Sequence, residues 1–176
     1  MYIWTGCKLP VEFETQIRKR CVPIARELGL DITGFSLPQH ISLKISFDAG
    51  DRHPEILDQI KEILQQEAPF TVIPAGIEQH GGILWITFRE NEVLRRLHEL
   101  LDSTLEQKYH IPRHMFDRQF FFHSALFLGD PEKIAQAHAA LAGFPLPTEL
   151  MIDTFLQGIS ETGKSGDFRV VRQINL

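Results

Sequence analysis

The chain has 176 residues, 43% hydrophobic and 23% charged, a composition typical of one soluble globular domain. Its formal net charge of −5 provides no overall positive field, so any contact with nucleic acid is expected to be local and short. Two cysteines are too few for a disulfide framework in a chain of this size, and Cys7 and Cys21 are predicted to be buried thiols. Residues 1–10 lack a signal-peptide pattern and no apolar run approaches about 18 residues, so we expect a cytoplasmic chain without a membrane span.

Helix and strand patterns alternate along the sequence. The expected elements are, in chain order, strand Tyr2–Leu9, helix Val11–Leu28, strand His40–Phe47, helix Pro54–Gln66, strands Phe70–Glu78 and Ile83–Phe88, helix Glu92–Lys108, strand Gln119–Leu128, helix Pro131–Ala142, and strands Leu150–Ile159 and Phe168–Ile174. Because helices and hairpins are interleaved, the pattern predicts an α+β fold with antiparallel sheets. A helix precedes each of two strands that contain a histidine, which indicates two similar lobes.

The strand predicted at residues 40–47 has one apolar face and one polar face, because side chains alternate along a strand. The apolar face carries Ile41, Leu43, Ile45 and Phe47, and the polar face carries His40, Ser42, Lys44 and Ser46. Such a polar face is either solvated or lines a wet cleft that holds an anion. A histidine, a hydroxyl and an ammonium side by side form a reasonable set of phosphate ligands. His40, Ser42 and Lys44 are therefore candidate site residues.

A second predicted strand carries a histidine among apolar residues. His123 shares its face with Phe121, Ala125 and Phe127, whereas Ser124 points to the opposite face. A histidine in such a strand is either a core residue with satisfied hydrogen bonds or a site residue. The strand pattern by itself favours the core, because a functional histidine is expected to have a cleft and a partner.

Taken together, the two histidine segments resemble the paired motif of a known superfamily. The sequence His-Ile-Ser-Leu at residues 40–43 resembles the histidine–any–threonine/serine–apolar motif of the 2H phosphoesterases, which include the bacterial 2'-5' RNA ligase family. That superfamily carries the motif twice, once in each lobe, and the second candidate is His-Ser-Ala-Leu at residues 123–126, 83 residues later. The resemblance implies a single bilobal domain over residues 1–176, with two antiparallel sheets flanked by helices around a central cleft.

The resemblance also implies a reaction. His40 and His123 would act as general acid and general base on opposite sides of one phosphorus, without a metal or another cofactor. Histidine suits both roles because its unperturbed pKa is about 6.5. Ser42 and Lys44 would neutralise the phosphoryl oxygens. The implied substrates are 2',3'-cyclic phosphates, 2'-5' linkages or small cyclic nucleotide phosphates, so the expected partner is a nucleotide or an RNA end, and the chain is expected to be a monomer.

The second motif departs from the superfamily pattern at residue 125. In the superfamily each hydroxyl lies two residues after its histidine and hydrogen-bonds the phosphate, but here Ala125 stands in the second position. Ser124 also carries a hydroxyl, although strand alternation directs it to the opposite face. Loss of an oxyanion donor costs about 10²–10³ in rate. The alternative to an enzyme of reduced activity is therefore a protein that binds nucleotides or RNA ends without turnover.

Residues 158–165 satisfy a different motif. Their sequence, Gly-Ile-Ser-Glu-Thr-Gly-Lys-Ser, fits the phosphate-binding pattern G-x-x-x-x-G-K-[ST], which requires a strand before the loop and a helix after it. A strand is predicted to follow instead, so we expect a glycine-rich hairpin turn and not a nucleoside-triphosphate site. If the turn lies at the rim of the cleft, Lys164 and Arg169 either touch a nucleotide or are ordinary solvated charges.

Two further alternatives follow from the histidines. The other six lack the ligand spacing typical of zinc, so no metal site is predicted. A plain structural or interaction domain would leave His123 buried and far from His40, so the relative position of the two imidazoles decides between this alternative and a two-histidine cleft.

Overall fold

The computed structural model describes residues 1–118 and 120–176, with the side chains of residues 33 and 34 left out of the description. The helices are α1 (Val11–Leu28), α2 (His53–Leu64), α3 (Glu92–Tyr109) and α4 (Pro131–Ala140). Short 3-10 helices lie at Thr33–Ser36, Gly50–Arg52 and Met115–Asp117. The strands are β1 (Tyr2–Lys8), β2 (His40–Asp48), β3 (Phe70–Val72), β4 (Pro74–His80), β5 (Ile83–Phe88), β6 (His123–Leu128), β7 (Leu150–Ile152), β8 (Thr154–Ser160) and β9 (Arg169–Asn175).

All strand pairs are antiparallel, which confirms the predicted α+β class. One sheet has the order β2-β1-β8-β9, and another has the order β4-β5-β6. The sequence predicted two sheets, but β3 and β7 form a third of two strands. The chain passes from one sheet to another at Ile73 and at Asp153, which divides two predicted strands into β3 and β4 and into β7 and β8.

The helices follow the predicted apolar periodicity. In α1 the buried residues recur every three or four positions, at Phe13, Ile17, Cys21, Ile24 and Ala25. The helix ends at Gly29, which has a φ of 61° and adopts the left-handed conformation that glycine tolerates. Both cysteines are buried free thiols, as predicted. Among the described residues, no helix is both long and apolar enough to cross a lipid bilayer.

The second histidine strand is shorter than predicted. It begins at His123, while Gln119, the first residue of the predicted strand, lies outside the described residues. Phe120 and Phe122 are buried in the core before the strand starts. As a result, His123 is the first residue of β6, just as His40 is the first residue of β2. The two histidines therefore occupy equivalent places in two different sheets.

Candidate active site

The two histidine strands are edge strands of their sheets and lie against each other. A buried hydrogen bond joins them, in which the Ser124 hydroxyl donates to Oε1 of Gln39 at 3.1 Å. Gln39 directly precedes His40, and Ser124 directly follows His123. This bond therefore holds the starts of the two strands side by side. The seam between β2 and β6 is the candidate active site.

Each imidazole is held by the backbone in the same way. Nδ1 of His40 lies 2.8 Å from the carbonyl oxygen of Pro38, and Nδ1 of His123 lies 3.1 Å from that of Phe121. A carbonyl oxygen only accepts hydrogen bonds, so each Nδ1 carries a hydrogen. In the neutral ring the lone pair is then on Nε2, which is the atom left to accept or release a proton.

The environment favours the neutral form of both rings. Burial lowers the pKa of His40 from 6.5 to about 4, the hydrogen bond to Pro38 opposes this effect, and the charge on His123 lowers the pKa further. Burial also lowers the pKa of His123, while its bond to Phe121 opposes the shift and the charge on His80 adds to it.

The chain's two tryptophans each contact one of these histidines. The Trp4 ring meets the His40 ring edge-on with centroids 4.2 Å apart, and its indole N–H donates to the Ser42 hydroxyl oxygen at 3.3 Å. The Trp85 ring packs on the His123 ring with centroids 4.4 Å apart. Trp85 is paired across the sheet with Ala125, the position that lacks the second hydroxyl. Each histidine is thus oriented by an aromatic ring from the neighbouring strand.

A cavity of about 360 Å³ opens on the His40 side of the seam. It is lined by β2 and the segment before it, by β6, and by the β8–β9 loop, including Leu37, Gln39, His40, Ser42, Ala125, Leu126, Leu128, Gly163, Ser165, Gly166 and Phe168. No aspartate or glutamate is among the described lining residues, although the chain has 23 acidic residues. His123 lies outside this lining, so the reacting group would bind at the edge of the cavity. An anion that enters meets no like charge on these walls.

Lys44 does not have the predicted role of a phosphate ligand. Its ammonium is buried, ion-paired to Asp102 at 2.9 Å and also to Asp117. These carboxylates come from α3 and from the 3-10 helix at Met115–Asp117. A phosphate would have to compete with two buried carboxylates for this charge. Lys44 instead ties the first histidine strand to the segment that leads into the second.

A buried histidine completes this ionic cluster. Nδ1 of His98 lies 2.7 Å from the carbonyl oxygen of Leu43, and Nε2 lies 3.1 Å from the carbonyl oxygen of Asp117. Both ring nitrogens thus lie within hydrogen-bond distance of backbone carbonyl oxygens. Asp102, Asp117 and His98 also form a group with the spacing of metal ligands among the described residues. However, both ring nitrogens face backbone carbonyls and the ammonium of Lys44 lies on the carboxylates, so these residues form a buried polar cluster and do not fit a metal.

The structure also corrects two other predicted phosphate contacts. Ser124 is buried and donates its hydroxyl to Gln39, so it is not available to a substrate. Arg169 is exposed and lines a separate cavity of about 270 Å³, together with Ser160 and Asp167. Residues 158–165 do not form a nucleoside-triphosphate loop, because β9 follows them where such a loop requires a helix. Their loop does reach the rim of the cleft, through Gly163 and Ser165.

Comparison with known proteins agrees with this geometry. The family model described as the 2'-5' RNA ligase superfamily matches residues 16–157, which is most of the chain and includes both histidine strands. The chain belongs to this superfamily. The resemblance to the 2H phosphoesterases, seen first in the two histidine motifs, is thereby confirmed. A search of the curated proteins finds no match to the sequence.

Several solved structures share the fold of this 2'-5' RNA ligase superfamily member. TT0787 of Thermus thermophilus is 18% identical, with a TM-score of 0.69, and the match covers 100% of this chain and 98% of that one. LigT of E. coli is 16% identical, with a TM-score of 0.59, and the match covers 99% and 96% of the two chains. Usb1 of Kluyveromyces marxianus is 11% identical, with a TM-score of 0.54, and the match covers 99% and 97%. LigT has also been solved with 3'-AMP, with NADP+ and with phosphate.

The superfamily motifs did not reveal the two tryptophans or Gln39. Trp4 and Trp85 lie on neighbouring strands, and strand pairing cannot be read from a motif within one strand. A signal was nevertheless present, because Trp4 precedes His40 by 36 residues and Trp85 precedes His123 by 38 residues. These similar spacings agree with two similar halves. Nothing in the sequence around Gln39 indicates a bond to Ser124, because 85 residues separate the two partners.

Proposed function

We propose that this superfamily member is a two-histidine phosphoesterase, and that His40 and His123 act on a phosphodiester held at the β2–β6 seam. The observation that carries the proposal is the matched arrangement of the two rings, each with Nδ1 held by the carbonyl two residues earlier. Both Nε2 atoms are then left for proton transfer. Two rings so arranged at one seam can serve the two sides of one phosphorus.

The proposed hydrolysis needs one proton acceptor and one proton donor. The neutral imidazole takes a proton from water as the water oxygen bonds to phosphorus. The other imidazole, protonated, gives its proton to the ribose oxygen as the bond from that oxygen to phosphorus breaks. The lowered pKa of each histidine supplies the neutral acceptor at neutral pH. The negative charge of the bound phosphodiester raises the pKa of the nearby rings, which supplies the protonated donor.

The substrate class is proposed to be 2',3'-cyclic phosphates, 2'-5' linkages or small cyclic nucleotide phosphates. Ser42 supports this class because its hydroxyl oxygen accepts from Trp4, which leaves its own hydrogen for a phosphoryl oxygen. The absence of carboxylates among the described residues that line the cavity supports an anionic ligand. LigT, which shares this fold, has been solved with 3'-AMP and with phosphate, and both ligands carry a phosphate group.

A second candidate function is binding without turnover, and Ala125 favours it. This residue lines the cavity where the superfamily motif has a threonine or serine, so one donor to the phosphate is missing. An active enzyme would turn over slowly, whereas a binding protein would hold a nucleotide or RNA end and release it unchanged. The measurement below separates the two.

The test is hydrolysis of 2',3'-cyclic nucleotides and 2'-5'-linked dinucleotides in the presence of EDTA. Wild-type protein is expected to form product, and His40→Ala and His123→Ala are each expected to reduce kcat by about 10²-fold or more. His53→Ala replaces a half-buried histidine on α2 outside the cavity, and this matched control should be unaffected. If activity survives both substitutions, other residues catalyse the hydrolysis. Saturable binding without product would favour the second candidate.

A further inference from the structure

The β8–β9 loop, residues 161–168, forms one wall of the cavity that contains His40. Gly163, Ser165, Gly166 and Phe168 line it, opposite Ser42 and the exposed Ala125. The cavity includes His40 but not His123. A substrate whose phosphodiester lies between the two histidines would therefore extend on the His40 side toward this loop. The mechanism above gives the loop no role.

The loop is held in one conformation by the core of the sheet. The buried Ser160 hydroxyl oxygen accepts from the N–H of Thr162 at 3.2 Å and from the N–H of Gly163 at 2.9 Å. Gly163 has a φ of 72°, and a Cβ there would lie 2.8 Å from the ring of Tyr2, so only glycine fits. The Thr162 hydroxyl donates to the Asp167 carboxylate. The loop is thus ordered before any ligand binds.

Three donors at the tip of this loop remain for a ligand. In the described part of the chain, the backbone N–H groups of Ser165 and Gly166 have no hydrogen-bond acceptor. Lys164 is exposed and forms no ion pair with any described residue. Ser165 and Gly166 line the cavity that contains His40, Lys164 lies in the exposed turn beside that lining, and the carboxylates of Glu161 and Asp167 line the neighbouring cavity. An ammonium and two backbone amides are a phosphate-binding set.

We infer that this loop binds a second phosphate of the substrate through Lys164 and the N–H groups of Ser165 and Gly166. The inference rests on the proposed function and narrows its substrate class. The preferred substrates would carry a phosphate at the end of the nucleotide remote from the reacting phosphodiester, such as a 5'-phosphorylated nucleoside 2',3'-cyclic phosphate or a longer RNA end. Residues 158–165 would then bind phosphate although no helix follows them, unlike the nucleoside-triphosphate loops that share the pattern G-x-x-x-x-G-K-[ST].

The kinetic test compares adenosine 2',3'-cyclic phosphate with its 5'-phosphorylated form. Wild-type kcat/KM is expected to be about tenfold higher for the 5'-phosphorylated substrate, because one charge-assisted hydrogen bond contributes about that factor. Lys164→Gln should bring the ratio close to one without changing kcat/KM for the other substrate, and Lys164→Arg should keep the preference. Lys61→Gln, an exposed lysine of α2, is the matched control. A ratio that Lys164→Gln leaves unchanged, or no preference in wild type, overturns the inference.

A binding measurement separates this inference from the proposed function. Adenosine 3'-phosphate and adenosine 3',5'-bisphosphate are titrated by calorimetry into wild type, Lys164→Gln and Lys61→Gln. The bisphosphate is expected to bind about tenfold more tightly, and only Lys164→Gln should remove the difference. If no substrate is hydrolysed but this difference appears, the loop assignment stands and the catalytic proposal fails. If the two nucleotides bind equally to wild type, or if neither binds, the loop assignment fails.

Discussion

The buried neutral state of His40 predicts a specific loss of stability in acid. Burial lowers its pKa from 6.5 to about 4 in the folded chain, so between these values the unfolded chain binds a proton that the folded chain does not. A group of this kind stabilises the fold least at low pH. The loss in free energy of unfolding that it causes is absent well above pH 6.5 and grows as the pH falls toward 4. Replacement of His40 by glutamine removes this one titration.

The size of the effect follows from the two pKa values. Each pKa unit corresponds to about 1.4 kcal/mol, so the difference between 6.5 and about 4 is worth about 3 kcal/mol at most. Between pH 7 and pH 4.5 the wild type should lose about 2 kcal/mol through His40 alone. The remaining pH dependence comes from groups that both proteins share. The difference between wild type and His40→Gln therefore isolates this residue.

The assay is urea unfolding at pH 7 and at pH 4.5, with the free energy of unfolding extrapolated to zero denaturant. The loss between the two pH values should be about 2 kcal/mol smaller in His40→Gln than in wild type. His53→Gln replaces a half-buried histidine outside the site and should keep the wild-type pH dependence. The reasoning is refuted if His40→Gln loses as much stability in acid as the wild type does, because His40 would then titrate alike in the folded and unfolded chains.

Two further predictions concern Ala125 and Lys44. Ala125→Ser places a hydroxyl two residues after His123 at an exposed position in the cavity lining, and kcat on a 2',3'-cyclic nucleotide should rise about tenfold; an unchanged kcat would show that the phosphate does not contact this position. Lys44→Met leaves the buried carboxylates of Asp102 and Asp117 without their ammonium, and urea unfolding should show a loss of about 3–5 kcal/mol. Lys61→Met should leave stability nearly unchanged, and a similarly small loss for Lys44→Met would contradict the buried cluster.

Much of the fold was predictable because local patterns determine it. The apolar stripe of α1 and the glycine at its end placed both ends of that helix at the predicted residues. The predicted bounds of β5 are also those of the structure. The division of residues 70–78 between β3 and β4 was not predictable, because it depends on which partner each part meets. A strand pattern indicates extended backbone and not the identity of the neighbouring strand.

The candidate site also combines features that the sequence predicted with features that it did not. Period-two alternation correctly separated Ser124 from the face of His123, because that rule operates within one strand. The same rule placed Lys44 beside Ser42 as a phosphate ligand, and this prediction was wrong. Its ammonium is ion-paired to Asp102 and Asp117, which lie 58 and 73 residues away along the chain. The chain folds so that α3 and the 3-10 helix pack against the middle of β2, and no local sequence pattern predicts that contact.

The sequence by itself determined the two histidine motifs, their superfamily and the missing hydroxyl at Ala125. These are properties of residue type and spacing. Only the tertiary structure decided that the two histidine strands meet at one seam, that Trp4 and Trp85 pack on the two rings, and that the β8–β9 loop closes the cavity beside His40. The physical reason is that hydrogen bonds, ring contacts and buried ion pairs act over a few ångströms, and in this chain they join residues that lie tens of residues apart.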